Sequence, residues 1–116
     1  MLKNIIHHNT LGVTLFWEKQ TDKEIQFIFR DTGLLLRKEE IYKFAKRVKE
    51  AQKENLSCID CTKSKNCRSI VVETPFVELN FVVSKHELNL LDDLIQGTIF
   101  KLGLNQILYN LNIEVN

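Results

Sequence analysis

With 116 residues, 44% hydrophobic, 27% charged and a net charge of +1, the chain suits a single domain with its own core and is too apolar for a disordered one. No apolar run approaches the ~20 residues of a membrane span, and Met1 to His8 lacks the apolar segment and cleavage site of a signal peptide. The expected setting is cytoplasmic, with reduced thiols.

Lys3 to Ile6 reads as a short edge strand or an arm laid on the body. Val13 to Glu18 follows as a strand with Val13, Leu15 and Trp17 on one face. Thr21-Asp22-Lys23 makes a polar turn. In the next strand, Glu24 to Arg30, Ile25, Phe27 and Phe29 point one way and Gln26, Ile28 and Arg30 the other. Asp31-Thr32-Gly33 supplies a hairpin with Gly33 free to take a positive φ, and Leu34 to Leu36 return as a strand. The first helix is expected over Lys38 to Glu54, with Ile41, Phe44, Ala45, Val48 and Ala51 as its buried stripe and Asn55 as its stop.

Residues 55–68 form a polar insertion. Ser69 to Glu73 then makes a strand, Thr74-Pro75 a turn, and Val77 to Val83 the returning strand. Ser84 and Glu87 form a capping box that opens a second helix, Lys85 to Leu102, with Leu88, Leu91, Ile95, Ile99 and Leu102 inward. Gly103 caps it. Leu104, Ile107, Leu108 and Leu111 repeat like a short third helix, and Ile113 to Val115 could be a last strand.

Leu34 to Ile41 aligns with Phe81 to Leu88 at an offset of 47, and Phe44 then falls on Leu91 and Val48 on Ile95. The chain thus reads as two β-β-α units, about 13–54 and 69–103, in one domain spanning 1–116. The expected fold is α+β, an antiparallel sheet of about five strands with two main helices on one face.

Cys58, Cys61 and Cys67, all the cysteines of the chain, lie within ten residues of the insertion. Three interpretations compete. The thiols could be unligated. They could form a structural zinc knuckle, with a fourth ligand from His7, His8, His86 or Asp60, because a Cys-x-x-Cys turn presents two thiolates to one tetrahedral ion. Or Cys58 and Cys61 could be a redox pair, since Lys63, Lys65 and Arg68 would lower thiol pKa values. Adjacent His7 and His8 fit an exposed tail, and His86 a solvated first turn. No glycine-rich phosphate loop is present among the scattered Gly12, Gly33, Gly97 and Gly103.

Charge is polarised: residues 37–68 hold ten bases and five acids, and residues 69–116 two bases and six acids. A solvated basic helix explains this more simply than nucleic acid, which would call for aromatic residues among the basic ones. One sheet face should stay open, showing Thr14, Phe16, Gln26, Ile28, Leu35, Val71 and Val82, too apolar a set to leave wet. A homodimer would cover it; self-coverage by residues 1–10 and 104–116 is the alternative.

Phe29-Arg30-Asp31-Thr32-Gly33-Leu34-Leu35-Leu36 leading to Glu39-Glu40-Ile41, with Thr74-Pro75 followed by Val82 to Leu88, resembles a family of short proteins found mainly in Bacteroidetes and known as a domain of unknown function. The resemblance covers roughly residues 12–102. Its members carry paired cysteines in the first hairpin, where Trp17 to Gln20 hold none, and it implies no activity. The function expected is a small interaction or regulatory module, homodimeric and with a zinc knuckle at Cys58, Cys61 and Cys67. The alternative is a thiol-dependent redox enzyme using Cys58 and Cys61.

Overall fold

The computed structural model describes residues 5–17, 24–54 and 68–110, with side chains as far as 104. Along the chain these form β1 (Ile5–His8), β2 (Gly12–Phe16), β3 (Ile25–Phe29), β4 (Thr32–Leu36), α1 (Lys38–Glu54), β5 (Ile70–Glu73), β6 (Asn80–Val83) and α2 (Lys85–Asn110). The class is α+β. In place of one sheet of about five strands, six strands divide into an antiparallel sheet in the order β1-β2-β3-β4 and a separate β5–β6 ribbon.

The ribbon joins the sheet through side chains rather than a shared ladder. Phe81 on β6 lies 5.3 Å from Phe29 on β3 and 6.1 Å from Phe44 on α1, which in turn lies 5.4 Å from Phe27. At the β6 carbonyl of Val82 the partner is the Arg30 guanidinium, at 3.1 Å, where a continuous sheet would bring a strand amide. Fully burying such a ring contributes about 1.5–3 kcal/mol, so this phenylalanine cluster is a large part of what joins the two sheets.

β3 sits at the centre of the core, with Ile25, Phe27 and Phe29 buried as their alternation demands. The α1 stripe of Ile41, Phe44, Ala45, Val48 and Ala51 is buried as expected. On α2, Leu88, Leu91, Ile95 and Leu102 are buried, joined by Leu94 and Thr98. At the start of α2, Ser84 Oγ accepts from Glu87 N (3.1 Å) and Ser84 N donates to Glu87 Oε1 (3.0 Å), the reciprocal capping box. The position 47 residues earlier has half of it: Arg37 N donates to Glu40 Oε1 at 2.9 Å.

Four expectations fail, each for a local reason. β2 has the opposite phase: Thr14 is buried, while Val13 and Leu15 share the outer face with Ile28 and Gln26 through their cross-strand pairing. The inner phase is enforced by Gly12, where a Cβ would strike the Ile28 carbonyl and come 2.8 Å from Leu94 Cδ2. Thr14 is tolerated inside because its hydroxyl lies 2.7 Å from that of Thr98, which donates to Leu94 O. Second, the β3–β4 turn does not use Gly33, which lies within β4 opposite Ile28; Arg30 takes the positive φ, +54°. Third, α2 passes straight through Gly103 to Asn110, so there is neither a cap at Gly103 nor a separate third helix. A mid-helix glycine costs about 1 kcal/mol, too little to stop a helix by itself. Fourth, His7 and His8 belong to strand β1, not to an exposed tail.

Candidate functional site

The convergence of charge in the described residues is at the point where β6 runs into α2. Glu87, fixed in the first helical turn by the capping box, turns its carboxylate toward two arginines from distant parts of the chain. Arg68 donates to it through Nε and Nη2, each at 2.9 Å, a planar bidentate pair. Arg30 Nη1 lies 3.5 Å from Glu87 Oε2 while its guanidinium rests over the Phe29 and Phe81 rings at 5.2 and 5.8 Å. Burial pulls the Glu87 carboxyl upward, but the Arg68 hydrogen bonds, the Ser84 amide and the charges of Arg30 and Arg68 outweigh it and hold the carboxyl below its ordinary value. The same hydrogen bond raises the Arg68 guanidinium.

Beside this cluster opens a concavity of about 310 Å³, lined by Thr10, Leu11, Arg68, Ser84, His86, Glu87 and Leu90. Its chemistry is that of a lock rather than a catalyst. A carboxylate held ionised by two guanidinium groups is a poor general acid, and the Ser84 hydroxyl is spent on the helix cap. The lock fixes Arg68, the residue after Cys67, against the start of α2.

Cys58, Cys61 and Cys67, with Asp60, lie outside the described residues. Of the histidines weighed as a fourth ligand, His86 is exposed at the mouth of the concavity. His7 lies against α2, with Nε2 3.4 Å from Asp93 Oδ2 and its ring where a Cβ on Gly97 would be. His8 is exposed at the end of β1. Among the described residues no group of three or more His, Cys, Asp or Glu is placed to hold a metal ion, and no helix is long and apolar enough to cross a membrane.

The second candidate surface is the outer face of the four-stranded sheet. Register puts Ile5, Leu15, Gln26 and Leu35 in one cross-strand row and His8, Val13, Ile28 and Gly33 in the next. Five half-buried aliphatic side chains (Ile5, Val13, Leu15, Ile28 and Leu35) therefore share the face opposite the one on which Gly12 and Thr14 meet α2. Of the residues expected there, Gln26, Ile28 and Leu35 belong to it. Thr14 and Phe16 have the opposite phase, and Val71 and Val82 pair on the outer side of the β5–β6 ribbon, 58% and 44% exposed.

Sequence reasoning identified Glu87 only as a capping residue. Its two arginine partners, 57 and 19 positions earlier in the chain, carry no local signal. Comparison with known proteins gave no match to a family model, to a curated protein or to a solved structure.

Proposed function

We propose that the protein is a small interaction module that works as a homodimer through the outer face of its four-stranded sheet. The observation that carries this is the pair of cross-strand rows in which Ile5, Val13, Leu15, Ile28 and Leu35 meet on one side of the sheet with only Gln26 and His8 as polar members. A contiguous apolar patch on an antiparallel sheet is characteristic of association. The same patch on two copies can meet across a two-fold axis. The Glu87 lock and the continuous α2 give that sheet a firm backing. The matched capping positions at Arg37–Glu40 and Ser84–Glu87 support a kinship between the β-β-α units, with α1 and α2 as equivalent members.

Sedimentation velocity provides the test. The wild-type chain should sediment at twice its 13.6 kDa mass. Val13→Lys and Ile28→Lys, which put a charge on the face without entering the core, should sediment as folded monomers. A wild type that is monomeric at every concentration would remove the reading.

A further inference from the structure

We propose that the concavity between the β1–β2 turn and α2 is a binding site for a small carboxylic acid with a short aliphatic tail, taken up by the outer edge of Arg68. The site shares no lining residue with the outer sheet face, so it stands or falls independently of the dimer.

Arg68 carries the recognition. A guanidinium has five N–H donors set in a planar fork, and Glu87 engages one side of it, through Nε and Nη2. Those bonds take two of the donors. The edge they leave, formed by Nη1 and the second hydrogen of Nη2, matches another planar carboxylate through two parallel bonds. Arg68 lines the concavity with its side chain 57% exposed, while the Glu87 bonds hold the fork in one orientation. A donor fixed in advance loses little freedom when a ligand arrives.

Charge calls for a monoanion. Arg30 and Arg68 both face Glu87, so the cluster holds two positive charges against one negative, a net of +1. Among the described residues no other carboxylate pairs with either arginine. A ligand carboxylate on Arg68 brings the set to two and two. A dianion would overshoot and leave an excess negative charge beside Glu87. At the mouth, His86 and Thr10 are exposed and add side-chain donors from two different parts of the chain.

The rest of the wall selects for carbon. Leu11 and Leu90, both half-buried, line the same space and offer apolar surface that an inorganic anion would not use. A volume of about 310 Å³ is at the lower end of the range for small-molecule sites. It suits an acid of a few carbons and is small for a nucleotide.

The experiment is a nuclear magnetic resonance titration of the full-length, isotope-labelled chain at neutral pH. The signals to follow are the Arg68 Nε–H and the backbone amides of His86 and Leu90. Isocaproate should move them to saturation with a Kd of about 1 mM, ordinary for a ligand of about eight non-hydrogen atoms in an open site. Isocaproamide, which has the same shape without the charge, should bind at least about tenfold more weakly. Acetate, which keeps the charge and lacks the tail, should be weaker by a similar factor of about ten. Arg68→Lys retains the positive charge but not the fork and should lose at least about tenfold in affinity. Thr10→Glu and Thr10→Lys change the charge at the rim without touching the Arg68–Glu87 bonds, and should weaken and strengthen binding by about threefold respectively. Because Thr10 is exposed, that pair decides the matter even where Arg68→Lys does not fold. Equal binding of acid and amide would overturn the site, as would acetate or inorganic phosphate binding as tightly as isocaproate. Absence of saturable shifts at Arg68 up to the solubility limit would overturn it too. An affinity indifferent to both Thr10 charges would mean that the acid binds elsewhere, with the same consequence.

Discussion

Glu87 shows how one side chain can hold three stretches of chain. It closes the capping box with Ser84, takes Arg68 in a bidentate pair and faces Arg30. Arg30 itself stands at φ +54°, a conformation costing an ordinary residue roughly 1–2 kcal/mol. Its bond to Val82 O and its seat over two phenylalanine rings offset that strain. Glu87→Gln keeps the shape and the cap but loses the charge. The variant should be less stable at neutral pH by about 1 kcal/mol, a modest figure because Arg68 is exposed to solvent. The pH dependence has a definite sign. Because the folded carboxyl has a lowered pKa, it binds fewer protons than the unfolded one near its ordinary range of about 4.3, so its contribution is complete above that range and disappears as pH falls through the folded value. Denaturant melts of the two proteins should therefore differ at pH 7 and converge in acid. Curves offset equally at all pH values would show that the carboxylate charge contributes nothing.

Between elements, the decisive contact is the β1–β2 hairpin against α2. Asn9 receives the Leu11 and Gly12 amides on Oδ1 and donates through Nδ2 to Leu90 O and Asp93, so the hairpin turn is bolted to the helix. His7 packs where Gly97 leaves room. Gly97→Ala should destabilise the protein, because the overpacking cost of about 1–3 kcal/mol exceeds the ~1 kcal/mol gain in helix propensity. In a His7→Ala background the clash is gone, and the same change should stabilise by about 1 kcal/mol. A double-mutant cycle on thermal or chemical melts checks the change of sign; destabilisation in both backgrounds would mean that the ring is not what occupies the space. The same region marks the limit of what periodicity could reveal. The α1 stripe, β3 and the Ser84–Glu87 cap were legible because their signals are local. The phase of β2 was not: Val13 and Leu15 look like the buried set until Thr98, 84 residues away, supplies the partner that lets Thr14 go inside. Gly33 and Gly103 misled for a related reason. Glycine permits a positive φ or a helix stop but compels neither, and here Arg30 makes the turn and α2 continues. The Glu87 site was half legible, its cap from spacing and its arginines not at all.

At the scale of the molecule, the charge polarity of the sequence is partly used internally. Lys49 on α1 pairs with Asp92 on α2 at 3.1 Å, and Arg47 pairs with Glu73 on β5, tying the basic segment to the acidic one. Among the described residues, apolar side chains remain at the surface on the outer sheet face and at Phe100 and Leu104 of α2. If a second copy covers the sheet face, folding and association are one equilibrium, and stability must depend on concentration. For a folded dimer melting to unfolded monomers, a tenfold rise in concentration adds about 0.7 kcal/mol per chain, half of the 1.4 kcal/mol that corresponds to a factor of ten. With an unfolding entropy of about 2.1 cal/mol/K per residue over 116 residues, that raises Tm by about 3 °C. Reversible melts of the wild type over a hundredfold range should therefore climb by about 6 °C, while Ile28→Lys should melt at one temperature throughout. A wild-type Tm that stays level over the same range would mean that the free chain tolerates both apolar surfaces in water, because no mass-action term can be hidden from such a titration.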